Sequence, residues 1–158
     1  MKKKIIDELL SKVRSELSAL ETASKSAKAY VTDGDVKSDG KYDTRGIEAG
    51  YLAGAQERRV EELKLELQML EEIPVREFSK DDEVAIGSLV DLSFNGQTRR
   101  YFIAPTAGGT MLNIDGTAIL VISTFSPIGD AVFGTTLSEE FELETPNELR
   151  RYKVEAIS

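Results

Sequence analysis

The sequence contains no cysteine, no histidine and no tryptophan among its 158 residues. Without cysteine there are no disulfides and no thiolate metal sites, and a reducing compartment is expected. Without histidine, the Ser/His/Asp and Cys/His triads and nearly all zinc sites are excluded. There is no run of about 18 apolar residues that would span a membrane, and no signal peptide follows residues 1–4. Any chemistry must therefore come from carboxylates, lysines, hydroxyls or a site supplied by a partner.

Basic residues are also scarce relative to acidic ones. The chain has 20 lysines and arginines against 28 aspartates and glutamates, for a net charge of −8. A protein that grips nucleic-acid phosphates directly needs the opposite balance. We therefore expect nucleic acid to be contacted only indirectly, through a complex with a partner.

Two amphipathic helical patterns fill the first half of the chain, and both show the four-and-three spacing of a coiled-coil seam. The first seam comprises Ile6, Leu10, Val13, Leu17, Leu20, Ser24, Ala27 and Val31. The second comprises Ala49, Ala53, Gln56, Val60, Leu63, Leu67 and Leu70. The two series mirror each other about Gly40, and the two polar positions, Ser24 and Gln56, fall opposite each other. The sequence therefore predicts an antiparallel helical hairpin over residues 1–75.

Between the seams lies an acidic stretch that we call the tip segment, Asp33–Arg45, with four aspartates, two lysines and almost no aliphatic residue. It is interpreted either as a solvated charged loop or as the functional end of the hairpin. Tyr42 either stacks on a nucleotide base or caps the hairpin. The glycines at 46, 50 and 54 indicate either packing and tolerance near the tip or a close approach by a partner.

The period changes to two from Val84 onward, after a linker at residues 76–83. Strands are predicted on either side of the turns Asn95-Gly96 and Asp115-Gly116. A short helix is predicted over Ser126–Phe133, because serine precedes proline at its start. We therefore predict that residues 84–158 form a small α+β domain, with a curved antiparallel sheet and one short helix. The pairs Arg99-Arg100 and Arg150-Arg151 are either docking charges or exposed strand ends.

This organisation resembles the bacterial transcript cleavage factors GreA and GreB. The family tip reads roughly GDLSENAEYD, and Gly34–Asp43 here reads GDVKSDGKYD. The segments VAIGSLV (84–90), ISTFSPIGDAVFG (122–134) and the closing YKVEAI resemble the family's FKBP-like domain. Too few aromatic residues are present to predict the aromatic-lined pocket of a prolyl isomerase.

The resemblance implies a cytoplasmic, monomeric accessory factor rather than an enzyme. Its C-terminal domain would dock at the rim of the secondary channel of RNA polymerase, and its coiled coil would reach the active centre. There the tip acids would share a magnesium ion with the polymerase, which would then hydrolyse a backtracked transcript. No tightly bound cofactor is expected. The residues implied to contact the polymerase are Lys37, Ser38, Lys41, Tyr42, Asp43, Ser126, Pro127 and Gly129.

The tip segment departs from the family pattern at one acid. Asp35 occupies the first acidic position, but the second falls on Ser38, which is not an anionic ligand. Asp39 is one residue later, where a helical turn would rotate the side chain by about 100°. Asp35 and Asp39 are the candidate catalytic and metal-binding residues. The alternatives are a channel-binding regulator that does not cleave, as DksA is, and a generic coiled-coil interaction protein.

Overall fold

The computed structural model describes the backbone of residues 1–32 and 44–158 and the side chains of residues 1–23 and 54–158. Within these ranges lie two long helices, a six-stranded sheet and one short helix. The helices are α1 (Lys2–Thr32), α2 (Thr44–Glu71) and α3 (Pro127–Val132). The strands are β1 (Leu89–Phe94), β2 (Gln97–Ala104), β3 (Met111–Ile114), β4 (Thr117–Ser123), β5 (Glu140–Glu144) and β6 (Leu149–Ile157).

The chain divides into two compact units. The hairpin unit is Ser11–Gln68, and the sheet unit joins Met1–Leu10 to Met69–Ser158. The first turns of α1 and the end of α2 thus belong to the sheet unit. The division of the sequence into residues 1–75, 76–83 and 84–158 stays a prediction.

The seam positions of the hairpin unit are the ones removed from solvent. Val13, Val60 and Leu63 are buried, and Leu17, Leu20 and Leu67 are half-buried, while most of the positions between them are exposed. The guanidinium of Arg59 donates from Nη2 to Glu16 Oε1 at 3.0 Å and so joins the two helices. Because exposed ion pairs contribute little to stability, apolar burial along the seam is what holds α1 to α2. The predicted helical hairpin is confirmed.

The seam has one polar layer, predicted to pair Ser24 with Gln56, and the structure describes the side chain of Gln56 alone. The side-chain carbonyl oxygen of Gln56 is buried, and it has no hydrogen-bond partner among the described residues. The side chain of Ser24 lies outside the described residues, so the pairing of Ser24 with Gln56 stays a prediction.

Gly54 lies inside α2, where glycine is unfavourable by about 1 kcal/mol relative to alanine. A Cβ at this position would meet no atom within 4 Å, so packing does not require glycine here. We therefore expect Gly54→Ala to raise the free energy of unfolding by about 0.5–1 kcal/mol, measured by urea denaturation followed by circular dichroism at 222 nm. Gly96→Ala is the control and should destabilise, because its φ of 76° is costly for alanine. A lower stability for Gly54→Ala would contradict this expectation.

The sheet of the sheet unit has the strand order β3-β4-β2-β1-β6-β5. Four of its five strand pairings are antiparallel, as predicted. The pairing of β2 with β4 is parallel, so the expectation of a wholly antiparallel sheet was wrong at this point. The physical reason is the connection at 105–110, which carries β3 to the edge of the sheet. After the turn that follows β3, β4 lies between β3 and β2 and runs parallel to β2.

Both predicted hairpin turns are present. Asn95 and Gly96 have φ values of 52° and 76°, and Asp115 and Gly116 have φ values of 51° and 80°. Two consecutive positive φ values match the twist of the adjoining strands, which is why Asn-Gly and Asp-Gly favour this turn. The Asp115 turn is also bound to α1, since Lys4 Nζ lies 2.9 and 2.8 Å from the two carboxylate oxygens.

The core of the sheet unit lies between one face of the sheet and α3. It contains Phe78, Val84, Val90, Leu92, Tyr101, Ile103, Ile122, Val132, Tyr152, Val154 and Ile157. The alternate residues on the strands, Leu89, Phe102, Ile119 and Val121, are also buried and point to the other face. The same unit contributes the buried helix residues Ile5, Leu9 and Leu70. The α+β fold class predicted for this domain is confirmed.

Within the predicted linker, Phe78 is held from two sides. Its ring lies 3.8 Å from the Arg76 guanidinium and 4.5 Å from Lys2 Nζ. Lys2 Nζ also donates to the Arg76 carbonyl at 2.6 Å, and burial lowers the pKa of this lysine. These cation–π contacts fix the segment to the beginning of α1.

Candidate functional site

The candidate site predicted from sequence has two parts, of which one is described. The first part lies in the tip segment, between the end of α1 and the beginning of α2. The residues predicted there lie outside the described residues: Asp35, Lys37, Ser38, Asp39, Lys41, Tyr42 and Asp43. Their roles stay predictions.

The second part is the loop from β4 into α3, with the sequence Ser123–Gly129. Ser126 caps α3, because its Oγ accepts from Gly129 N at 3.1 Å. The same hydroxyl donates to the Ser123 carbonyl at 2.7 Å, and Pro127 is the first residue of the helix. Ser126 and Pro127 therefore have structural roles in this turn, whatever else they contact.

Gly129 is buried in the same turn. A Cβ built there would overlap the Ser123 carbonyl, which belongs to the backbone and has no freedom to rotate away. Close approach of two backbone segments is thus the reason for glycine at this position. A direct contact between Gly129 and a partner stays a prediction.

Phe125 is a candidate contact residue that the sequence interpretation missed. Its side chain is 82% exposed, although its backbone N–H is held by Ser123 Oγ at 3.2 Å. The loop thus presents a large aromatic ring to solvent from a hydrogen-bonded turn. Phe133, just after α3, is also 49% exposed. The sequence did offer a signal for the exposure of Phe125. This residue directly precedes the helix cap Ser126, at a position where the strand and helix patterns predict no buried side chain.

The two arginine pairs lie on β2 and β6, where neighbouring side chains point to opposite faces of the sheet. Arg100 binds the Asp91 carboxylate through two hydrogen bonds of 2.7 and 2.9 Å, and Arg151 binds Glu142 at 2.8 Å. Arg150 binds Glu148 at 2.9 Å. Arg99 is exposed, and no carboxylate lies within 4 Å of its guanidinium among the residues the structure describes. Three of the four arginines are thus strand residues in ion pairs.

The described residues do not form a metal site of their own. No group of three or more acidic residues in that part of the chain is placed to hold a metal ion. The candidate ligands Asp35 and Asp39 lie outside it. Carboxylate oxygens suit magnesium, and this donor set is what the tip segment offers. Among the described helices, none is long and apolar enough to cross a membrane.

Comparison with known proteins assigns the sheet unit to a family. Residues 79–158 match the family model described as transcription elongation factor, GreA/GreB, C-terminal. The chain is 29% identical over 136 residues to transcription elongation factor GreA of Nitrosococcus oceani, covering 86% of this chain and 79% of that protein.

Solved structures of GreA factor homolog 1 are also similar to this chain. The protein of Thermus thermophilus is 21% identical, with 94% of each chain covered and a TM-score of 0.39. The protein of Thermus aquaticus is 20% identical, with 93% of this chain and 92% of that chain covered and a TM-score of 0.41. Since the family model matches 80 of the 158 residues, its range running from 79 to 158, this chain belongs to the GreA/GreB family of transcription elongation factors.

Proposed function

We propose that this chain binds bacterial RNA polymerase through the secondary channel and places its tip segment near the active centre. One observation carries the proposal: in a chain of the GreA/GreB family, the acidic sequence GDVKSDGKYD stands between two long helices. The shorter of these helices has 28 residues, which corresponds to a length on the order of 40 Å. A narrow helical pair of that length suits a channel better than a flat surface.

At the active centre, Asp35 is the residue proposed to act, with Asp39 as its candidate companion. A magnesium ion held between these carboxylates and the polymerase would supply an activated water and stabilise charge on the phosphate. The part of this chain is to supply carboxylate oxygens and to position them. The outcome would be stimulated or modified cleavage of a backtracked transcript, with the polymerase as the enzyme and this chain as its accessory factor.

A second function is favoured by the composition of the tip segment. Ser38 replaces the second acid of the family pattern, and Lys37 and Lys41 add positive charge that opposes a metal ion. With this composition the chain would occupy the channel without supporting hydrolysis, as an inhibitor or a regulator of the DksA kind. Both functions require the same binding site on the polymerase and differ only at the active centre.

For docking of the sheet unit, we propose the loop Thr124–Pro127. Phe125 offers an exposed aromatic ring, and aromatic rings in well-held positions supply much of the binding energy at interfaces. Ser126 and Pro127 keep the loop in a fixed conformation, so little conformational entropy is lost on binding. The excess of acidic residues in the chain disfavours direct contact with DNA or RNA. A cytoplasmic location follows from the proposed partner.

The experiment is a competition assay on backtracked elongation complexes with the cognate polymerase. We expect this chain to displace a fluorescently labelled GreA from the complex and, when added alone, to change the rate of transcript cleavage. Displacement without a change in cleavage would favour the regulator. Failure to displace GreA, together with no effect on cleavage, would contradict both functions and leave a generic coiled-coil interaction protein.

Phe125→Ala tests the docking loop in the same assay. We expect it to weaken displacement about tenfold, while the free energy of unfolding stays unchanged because the ring is exposed. Met111→Ala is the matched control, since Met111 is also 60% exposed but lies on β3. Equal losses for both variants would contradict a specific role for Phe125.

A further inference from the structure

The sheet unit contains a cavity that the proposed function does not use. It has a volume of about 480 Å³ and opens between the core face of the sheet and α3. Seven of its eleven lining residues are apolar or aromatic, but much of their surface is buried, and the polar side chains among them supply the larger share of the exposed lining. The lining residues are Leu92, Phe94, Asn95, Gln97, Arg99, Tyr101, Leu120, Ile128, Leu143, Arg150 and Tyr152. Cavities of roughly 300–1,000 Å³ are the size that holds small molecules.

Aromatic rings form one wall of the cavity and are fixed by contacts with each other. The Tyr152 ring lies 5.2 Å from Phe94 and 5.4 Å from Phe141, with the latter pair stacked at 14°. Tyr101 is 5% exposed, and burial raises the pKa of its phenol, so this group stays protonated and able to donate. Three aromatic residues from three different strands, Phe94, Tyr101 and Tyr152, thus converge on this cavity.

The charge of the lining has one sign. Two arginines border the cavity and no aspartate or glutamate does, although the described sheet unit carries more acidic than basic residues. Arg150 already binds Glu148, stands 5.2 Å from the Phe94 ring and reaches Tyr152 Oη at 3.5 Å. Arg99 has no such carboxylate among the described residues, and it stands beside Leu92 in the strand register. Arg99, which has no carboxylate partner among the described residues, thus borders a cavity that the half-buried Phe94 ring also lines.

We propose that this cavity binds a small anion with a flat aromatic body, whose carboxylate, sulfonate or phosphate group pairs with Arg99. The guanidinium donates to two oxygens of such a group at once, and the half-buried Phe94 ring offers the aromatic surface on which the flat part stacks. A neutral ligand of the same shape would leave Arg99 without a partner. The inference does not depend on binding to RNA polymerase and concerns a different surface from the Phe125 loop.

The test uses the full-length chain and the aromatic sulfonate 8-anilinonaphthalene-1-sulfonate, whose fluorescence rises when it is bound. We expect a saturable signal from the native chain and an affinity about tenfold lower for Arg99→Gln. Arg99 is exposed, so this variant should fold normally. Arg151→Gln is the matched control, because Arg151 is in the same unit but pairs with Glu142 outside the cavity. It should bind within about twofold of the native chain.

Competition with other ligands then distinguishes the contribution of the negative charge to binding from that of the aromatic ring. We expect 2-naphthoate and adenosine monophosphate to displace the probe, and 2-naphthalenemethanol and inorganic phosphate not to displace it at equal concentration. Equal displacement by the neutral alcohol would overturn the role of Arg99, and equal displacement by phosphate would overturn the aromatic part. If Arg99→Gln binds the probe as tightly as the native chain does, the proposal is overturned. The probe would then bind elsewhere, for example in the apolar depression around Ile73 and Phe133.

Discussion

Replacing Asp35 by alanine is expected to return transcript cleavage in backtracked complexes to the rate of the polymerase alone. Loss of one correctly placed carboxylate at a metal-assisted reaction lowers the rate on the order of a hundredfold. Polymerase binding should be unchanged, because the proposed function places Asp35 at the active centre and assigns docking to the Thr124–Pro127 loop of the sheet unit. The measurement is the rate of RNA shortening from its 3′ end, with magnesium present, at saturating concentrations of each variant.

Three further variants complete this test. Asp81→Ala is the control, since it removes an exposed carboxylate of the sheet unit and should leave the cleavage rate unaltered. Asp39→Ala separates the two candidate ligands, because retained cleavage would exclude Asp39. Ser38→Glu restores the second family acid and should raise the cleavage rate above that of the native chain. If Asp35→Ala and Asp81→Ala have equal rates, the assignment of Asp35 is contradicted.

Gly129→Ala is expected to be the most destabilising single-methyl change in the sheet unit. The added Cβ would overlap the Ser123 carbonyl, and the turn that begins α3 must then shift. Overpacking of this kind costs about 1–3 kcal/mol or more in the free energy of unfolding. Ser126→Ala removes the cap hydrogen bonds and should cost about 1 kcal/mol. Urea denaturation, followed by tyrosine fluorescence, measures both.

These variants also distinguish two roles for Gly129. A structural role predicts a large loss of stability, with polymerase binding reduced only as far as the chain unfolds. A role confined to contact with a partner predicts unchanged stability and weaker displacement of GreA. The second result would contradict close backbone packing as the reason for glycine in the α3 turn.

Much of the fold was predictable because local chemistry and tertiary packing agree. The spacing of Val13, Leu17, Val60 and Leu63 places one side of each helix against the other, and these side chains are buried or half-buried. The Asn-Gly and Asp-Gly pairs fix two turns, since few other residues accept positive φ at both central positions. Ser126 and Pro127 similarly mark the beginning of α3.

The parts that were not predictable depend on how distant segments meet. Nothing local to β2 or β4 states that they run parallel; that follows from the path of the 105–110 connection. The cavity beside α3 likewise joins Phe94, Tyr101 and Tyr152, which lie on three different strands. Phe125 was overlooked because hydrophobic periodicity locates buried residues, and an exposed phenylalanine has no periodic signal.

The central claim, that the tip segment reaches the polymerase active centre, is tested most directly with a tethered iron chelate. The native chain has no cysteine, so Ser38→Cys gives a single attachment point, and Thr98→Cys on the sheet unit gives a matched control. Hydroxyl radicals from the chelate cut nucleic acid only within a short distance. We predict cuts at the 3′ end of the backtracked RNA from the Ser38 position and none from the Thr98 position. If the Ser38-labelled protein binds the polymerase but produces no cuts near the active centre, the proposed role of this chain as a secondary-channel factor is contradicted.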